Sequence, residues 1–267
     1  MEQESSTSRN PQLPNKWIEI QESLKKRLIQ EDFFTWKIPQ LRHRENQDLD
    51  RGESEILKFV GGVDLSFSKN DPSIACASLV VLDLSTLEVV YEDCAIDELR
   101  VPYVPGFLAF REAPVLLELL EKMQKRTLAS YPQIMYLCFL LKSLDGLLGF
   151  GLACHLGVLA DLPTIGIGKN LHHVDGLSQQ SVRKQLEANG NSCSDIVPLI
   201  GNSGSTLGAA MRSAERSMKP IFISVGHRIS LATATLIVKL SCKFRVPEPI
   251  RQADIRSKIH LQKHGLS

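Results

Sequence analysis

Three strand-like runs rich in Val, Ile and Leu follow one another with connectors of only a few residues. They are Phe59–Phe67, Ile74–Leu84 and Leu87–Ile96, and the turn-forming segments Asn70–Ser73 and Ser85–Thr86 divide them. Connectors this short join antiparallel neighbours, because a parallel crossover needs a dozen or more residues. The sequence therefore predicts an antiparallel three-strand meander.

Helical and strand-like patterns alternate after the meander. Leu116, Leu117, Leu120 and Met123 recur at helical spacing, with charged residues between them. The further elements predicted are a strand over 133–141, a helix over 149–159, a strand over 164–167, a helix over 182–187, strands over 197–200, 205–211 and 220–225, and helices over 230–240 and 254–263. A meander followed by this alternation predicts an α/β fold, with a mixed sheet flanked by helices.

The first 57 residues differ in composition from the rest of the chain. They are polar, and within them Trp17, Ile20, Leu24, Leu28 and Phe33 lie near helical spacing. This pattern predicts an N-terminal extension over 1–57, with an amphipathic helix that packs on a main domain over 58–267.

Composition limits the class of protein and its partners. The chain has 267 residues, 43% of them hydrophobic, and a net charge of +1, so contact with phosphates would depend on local clusters. One candidate cluster spans 243–265, where Lys243, Arg245, Arg251, Arg256, Lys258 and Lys263 outnumber two acidic residues; a solvated face is the alternative. The six cysteines show no zinc-type spacing, and no secretory signal or membrane span is evident. We therefore expect a reduced, intracellular protein that does not span a membrane.

Three carboxylates stand out as candidates for chemistry. Asp64 lies inside the first strand, where flanking glycines permit close backbone approach and alternation turns Val63 and Leu65 to the other face. Glu112 and Asp254 are each expected to open a helix, where simple capping is the competing explanation. Acids this far apart in sequence can still meet at one Mg²⁺ site, because Mg²⁺ takes few protein carboxylates and fills its shell with water and phosphate.

Other polar residues offer weaker signals. His227 stands where a strand is expected to end, a position suited to proton transfer or phosphate contact, or simply to a hydrogen-bonded histidine. Lys169 follows a Gly-Ile-Gly segment that lacks the remaining residues of a Walker loop, so we exclude a nucleotide cofactor and keep Lys169 as a phosphate contact. The cluster of His172, His173 and Asp175 is an unfavourable metal site, because adjacent side chains point apart on a regular element.

A stiff loop lies between the meander and the first long helix. Pro102, Tyr103, Val104 and Pro105 precede Gly106, and the prolines fix φ on both sides of the aromatic ring. The ring could be held out as a wedge that stacks where a base leaves a helix. A buried turn tyrosine is the alternative.

Five segments in one order resemble the endonuclease V family, most closely its plant-like eukaryotic members. They are Val60–Phe67, Val101–Glu112, Gly149–Gly157, Ser224–Leu231 and Pro247–Arg256. The resemblance implies a ribonuclease H-like fold and cleavage of the second phosphodiester bond 3′ to inosine in RNA or DNA, leaving 5′-phosphate ends. It also implies Mg²⁺ as cofactor, with Mn²⁺ as a substitute, and a monomer that binds single-stranded RNA or repairs DNA in the nucleus, nucleolus or cytoplasm.

The resemblance also implies roles for individual residues. Asp64, Glu112 and Asp254 would be catalytic acids that hold the metal, and His227 and Lys169 would serve the scissile phosphate. Tyr103 would be the wedge within the Pro102–Pro105 loop. The residues implied for the pocket of the flipped base are Leu108, Gly151, Leu152 and His155.

One segment departs from the family pattern. The family has an Asp-Gly-x-Gly motif at the end of the strand before Gly149, and its Asp is a further metal ligand. Here Cys138 occupies that place, the segment is two residues longer, and Asp145 followed by Gly146 lies seven residues later. A thiol is a poor Mg²⁺ ligand. The sequence therefore leaves a second interpretation open, in which the protein binds inosine-containing nucleic acid without cleaving it.

Overall fold

The computed structural model describes residues 12–39, 55–126, 134–139, 150–171, 173–188, 196–214, 217 and 219–266. The helices are α1 (Gln12–Lys25), α2 (Leu108–Arg126), α3 (Leu152–Ala160), α4 (Gln179–Ala188), α5 (Leu231–Leu240) and α6 (Glu248–Lys263). The strands are β1 (Phe59–Phe67), β2 (Ile74–Asp83), β3 (Val89–Glu98), β4 (Ile134–Phe139), β5 (Thr164–Gly168), β6 (Ile196–Ile200), β7 (Thr206–Met211) and β8 (Ile221–Val225). No helix within these ranges is long and apolar enough to cross a membrane.

The strands form one mixed sheet of eight, in the order β3-β2-β1-β4-β5-β8-β7-β6. The first three strands pair antiparallel as a meander, as the short connectors predict. Strands β1, β4 and β5 are parallel, and the other pairs are antiparallel. The carboxyl ends of β1, β4 and β5 therefore meet at one edge of the sheet, where side chains from three separate segments can converge.

Hydrophobic clusters cover both faces of the sheet. On one face Val60 and Ile167 pack with residues of α5 and α6, such as Ile237 and Ile250. On the other face Val63 packs with α2 and α3 residues, including Leu116 and Leu156. Val60 and Val63 lie on opposite faces, as the period of two in a strand requires. The sheet thus separates α2 and α3 from α5 and α6.

Both helices that carry candidate acids begin earlier than the sequence indicates. Helix α6 begins at Glu248, so Asp254 lies in its second turn. Helix α2 begins at Leu108, and no acidic residue lies in its first turn, so Glu112 does not cap it. The expectation that Glu112 and Asp254 open their helices is therefore wrong. Proline is tolerated in the first turn of a helix, where the missing N–H costs nothing, which is why Pro249 does not delay α6.

The N-terminal amphipathic helix is present, with part of its predicted face buried. Trp17 and Leu24 are buried, and Leu28 packs against the same cluster as Leu24. Ile20 and Phe33 are exposed, Phe33 because it lies beyond the end of α1 at Lys25. The helix contacts α3, while the division of the chain into an extension over 1–57 and a domain over 58–267 stays a prediction.

Candidate active site at the carboxyl edge of the parallel strands

Close packing of α6 on β1 builds the site. A Cβ atom at Gly62 would lie 2.4 Å from the backbone carbonyl of Pro249, so only glycine allows α6 to approach this closely. Four residues further along β1 and eight further along α6, the buried hydroxyls of Ser66 and Ser257 are hydrogen-bonded at 2.7 Å. Alternate residues of a strand rise about 6.6 Å and four residues of a helix about 6 Å, so successive contacts stay in step. The residues between these contacts, Asp64 and Asp254, are thereby brought together.

The carboxyl groups of Asp64 and Asp254 interact directly. Burial raises the pKa of Asp64 to about 8, and the charge of Asp254 and a hydrogen bond with it add to the rise. Lys169 and Lys258 oppose the shift, and Lys258 Nζ lies 2.8 Å from Asp254 Oδ2. Two carboxylates held this close repel each other when both are charged, and a cation between them relieves the repulsion. This oxygen donor set suits a hard divalent cation such as Mg²⁺.

The departure at Cys138 lies directly beside this acid pair in the sheet. Val63 of β1 pairs with Leu137 of β4, so Cys138 holds the position next to Asp64. Cys138 also pairs with Ile167 of β5, two residues before Lys169. The register thus confirms that this chain has a cysteine at the strand position from which a third acid could reach the pair. Asp145, the other candidate for that acid, lies outside the described residues.

Glu112 stands apart from the pair but near the same edge. Its pKa is raised to about 7 by burial, against the opposing charge of Arg111. The Arg111 guanidinium lies 5.5 Å from the ring of Phe67 at the end of β1, which places this turn of α2 beside the carboxyl end of that strand. Within the described ranges, no three metal-binding side chains come together. The structure therefore pairs two of the predicted acids and leaves Glu112 a separate, desolvated carboxylate.

Two lysines lie beside the acid pair: Lys169, predicted as a phosphate contact, and Lys258, which the sequence offered only as a member of the 243–265 cluster. Lys169 follows β5 immediately, and its positive charge favours the ionised form of Asp64. Lys258 follows Asp254 by four residues, a spacing that puts the two on one helix face. The helix predicted over 254–263 already contained both residues, so this spacing was a usable signal for their pairing.

His227 lies at the opposite end of β5 from Lys169. Strand β8 is antiparallel to β5 and pairs Val225 with Ile165, so the chain leaves β8 near Thr164, roughly 16 Å along the strand from Lys169. The His227 side chain is 3% exposed, and its Nδ1 accepts a hydrogen bond from the Ile29 backbone N–H at 3.2 Å. Burial lowers its pKa, with Arg228 adding to the effect. The structure therefore places His227 away from the acid pair and in a hydrogen bond with the N-terminal segment, and this geometry does not support a contact with the scissile phosphate.

The Pro102–Pro105 loop presents its tyrosine to solvent. Tyr103 is 50% exposed, which rules out the buried turn tyrosine. Gly106 closes the loop at φ +81°, in the left-handed region that glycine adopts readily, and the Phe107 N–H donates to the Val104 carbonyl at 3.0 Å. The exposed ring and closed loop agree with the geometry that a wedge needs, while the role itself stays a prediction.

The residues predicted for a base pocket differ in accessibility. Gly151 is exposed and caps the amino end of α3, and Leu108 is half-buried at the first residue of α2. Leu152 and His155 are buried, Leu152 within the α2–α3 cluster, so their side chains face the interior rather than an open pocket. Burial lowers the pKa of His155 to about 4, and its Nδ1 has no hydrogen-bond partner within the described residues. Main-chain groups at Gly151 remain available for contact.

Comparison with known proteins identifies the family. A family model described as Endonuclease V matches residues 40–255. Endonuclease V of Homo sapiens is 46% identical over 244 residues, which cover 88% of this chain and 85% of that protein. The chain belongs to the endonuclease V family. It is therefore an endonuclease, and the Asp64–Asp254 pair, the Tyr103 loop and Lys169 all lie within the matched range.

Solved structures of endonuclease V share the fold. The catalytic domain of the human enzyme superposes with a TM-score of 0.83 at 40% identity, covering 97% of this chain and 100% of that one. Endonuclease V of Ciona intestinalis, in complex with DNA containing an inosine followed by a ribo-adenosine, gives a TM-score of 0.81 at 30% identity and covers 96% of this chain and 99% of that one. The ribonuclease H-like mixed sheet, with its meander first, is confirmed.

One member of the weak His172, His173 and Asp175 cluster has a structural role. Asp175 accepts hydrogen bonds from the Ser203 backbone N–H at 3.2 Å and hydroxyl at 2.5 Å, which fixes the turn over 201–204. His173 is exposed, and His172 lies outside the described residues. Asp175 is thus engaged in fixing a turn.

Most cations of the 243–265 cluster are engaged within the protein. Arg251 pairs with Glu248, Arg256 with Glu92, and Lys258 with Asp254. Lys243 and Arg245 donate to backbone carbonyls of other segments. Arg256, Lys243 and Arg245 thus tie α6 and the loop before it to other segments, whereas Arg251 and Lys258 pair within α6.

Proposed function

We propose that this protein is a magnesium-dependent endonuclease that cleaves inosine-containing RNA or DNA at the second phosphodiester bond 3′ to inosine and leaves 5′-phosphate ends. The observation that carries the proposal is the half-buried Asp64–Asp254 pair beside Lys169, where the three parallel strands β1, β4 and β5 end. The inosine-bearing DNA in the complex of the Ciona relative supports the choice of substrate.

Each residue of the site has a task that its surroundings support. Asp64 and Asp254 would hold the ion, which when bound activates water and stabilises the leaving oxygen. Lys169 would contact the scissile phosphate from the end of β5. Glu112, with a pKa of about 7, is poised to exchange a proton near neutral pH. The exposed ring of Tyr103 would stack in the gap that the displaced base leaves.

A cleavage assay on a single-inosine oligonucleotide tests this function. With Mg²⁺ we expect one product, cut at the second bond 3′ to inosine, from RNA or DNA, and none from the same strand with adenosine. Asp64→Asn and Asp254→Asn should each reduce the rate by at least about a hundredfold, because each removes a carboxylate that would hold the ion. Equal cleavage of the adenosine strand would contradict the proposal.

The position of Cys138 favours a second candidate, a protein that binds inosine without cleaving it. The register puts Cys138 next to Asp64, where a further carboxylate would complete the metal site. Cys138→Asp should then raise the cleavage rate by orders of magnitude, and Cys138→Asn is the matched uncharged control. A wild-type rate that falls in Asp145→Asn and does not rise in Cys138→Asp would instead show that Asp145 supplies the missing group.

A further inference from the structure

A cluster of aromatic rings joins the N-terminal helix to the main domain. The indole of Trp17 in α1 stacks on the ring of Phe110, with centroids 5.1 Å apart and planes at 14°. It also contacts Phe107, at 5.9 Å. On the far side of Phe110, the His155 imidazole meets the ring edge-on at 4.9 Å. Trp17 itself is only 8% exposed, and the rings of Phe107 and Phe110 contact its indole.

The cluster lies at the root of the exposed tyrosine loop. Phe107 directly follows Gly106, and its N–H closes the loop on Val104. Pro102 and Pro105 have fixed φ angles, so the loop moves largely as one body about its two ends. Packing of the Phe107 ring on Trp17 therefore restrains the end nearer to α2.

The same cluster reaches the exposed glycine at the start of α3. The His155 N–H donates to the Gly151 carbonyl at 3.0 Å, so the ring of His155 lies one turn below that glycine. His155 is buried and contacts Phe110, as well as Phe150 at 6.0 Å. The segment of the expected wedge, Tyr103, and the segment expected at the pocket of the displaced base, Gly151, thus converge on rings that contact one another and Trp17.

We infer that Trp17 is a positioning residue for recognition of inosine, because it sets the separation between the Tyr103 loop and the start of α3. This inference rests on the proposed function. Trp17 lies before residue 40, where the match to the family model begins, so the role belongs to the N-terminal extension rather than to the matched domain. A loss of the indole lets the loop and α3 move independently, and recognition geometry is sensitive to displacements of about 1 Å.

Binding and cleavage by Trp17→Ala test the role, with Leu24→Ala as the matched control. Leu24 is also buried on α1, but it packs with Phe150, Cys154 and Val158 rather than with the Phe107–Phe110 rings. Trp17→Ala should weaken binding of a single-inosine oligonucleotide about tenfold, raising KM more than it lowers kcat. Leu24→Ala should leave affinity within about twofold at matched thermal stability, and Trp17→Phe should restore most of the loss.

A second measurement does not depend on whether Trp17→Ala folds. The chain has two tryptophans, so Trp36→Phe leaves Trp17 as the sole indole reporter. Its emission should change on adding the inosine strand and stay unchanged with an adenosine strand of equal length. Equal affinity losses in Trp17→Ala and Leu24→Ala, or a silent Trp17 on inosine binding, would overturn the inference. A wild-type protein without preference for inosine would overturn the proposed function, and the inference with it.

Discussion

At the scale of single residues, a histidine and an aspartate show how surroundings decide the role of a polar group. His227 and Asp64 both lie on or just after a strand and both offered plausible chemistry. Asp64 meets another carboxylate across a tight helix–strand contact. His227 instead accepts a hydrogen bond from the N-terminal segment, and its imidazole is thereby engaged in structure. Both were candidates because a polar residue lies on or just after a strand, and the tertiary partner distinguishes them.

Replacement of His227 should reduce stability and leave chemistry intact. His227→Ala strands the Ile29 N–H and should lower the free energy of unfolding by about 1–3 kcal/mol, while kcat on the inosine strand stays within about twofold. His173→Ala, at an exposed histidine, is the control and should change stability by less than about 0.5 kcal/mol. Chemical denaturation and single-turnover cleavage give the two quantities. A hundredfold drop in kcat with unchanged stability would restore the catalytic role.

The acid pair should make the metal-free protein less stable as pH rises. Asp64 has a pKa of about 8 in the folded protein against 3.8 in a free chain, so the unfolded state loses its proton first. Stability is greatest below pH 4 for this group and falls progressively towards pH 8. Glu112, at about 7 against 4.5, contributes with the same sign. Melting temperatures in EDTA should therefore fall between about pH 5 and 8.

Two variants separate this effect from general pH dependence. Asp64→Asn should flatten part of the decline, whereas Asp71→Asn should not, because Ser73 lowers the pKa of that exposed carboxyl. Added Mg²⁺ should stabilise the wild type at pH 8 and have little effect at pH 5, where protons compete for the same oxygens. If the melting temperature of Asp64→Asn fell with pH as steeply as that of the wild type, the acid pair would not be the cause of the decline.

At the scale of elements, the contact between α6 and β1 positions the acids. The helix lies so close that Gly62 has no room for a Cβ atom, and the Ser66–Ser257 bond fixes the register at the other end. A helix held at two points against one strand keeps Asp254 over Asp64 without relying on either acid. The site is thus a property of the interface between two elements.

Substitution of Gly62 should disturb that interface. Gly62→Ala forces the Pro249 backbone away and should destabilise the protein by about 3 kcal/mol, with a cleavage rate at least about tenfold lower because Asp254 moves from Asp64. Gly204→Ala is the control, since that glycine has open space and only a left-handed φ, and should cost about 1 kcal/mol with normal cleavage. Wild-type activity in Gly62→Ala would show that the close approach does not position the acids.

At the scale of the whole molecule, many basic side chains of the last segment form ion pairs or hydrogen bonds within the chain. The net charge is +1, and the basic residues of the last segment pair with acids or carbonyls of the same chain. Affinity for a polyanion then depends on a few cations at the site rather than on a charged coat. Shape and stacking around the Tyr103 loop must supply the rest of the binding free energy.

The salt dependence of binding should accordingly be shallow. Six phosphate contacts to a single strand would give a slope of log K against log salt of about −4, and we expect about −2. Lys169→Ala should reduce the slope by about 0.7, whereas Arg256→Ala should leave it unchanged because that guanidinium pairs with Glu92. Fluorescence anisotropy between about 50 and 200 mM salt measures both. A wild-type slope near −4 would show that the C-terminal cations do reach phosphates.

The sequence by itself determined the meander, the alternation of later elements and the candidate acids Asp64 and Asp254, because period and turn chemistry are local properties. It also identified Lys169 and the departure at Cys138. Only the tertiary structure decided that Asp64 and Asp254 form a pair while Glu112 stands apart, since helix packing across the sheet is not local. The same holds for His227, whose direction depends on β8 running antiparallel to β5, and for Trp17, whose partners lie about ninety residues or more along the chain. Strand direction and helix approach are set by the whole hydrophobic core, so no single segment encodes them.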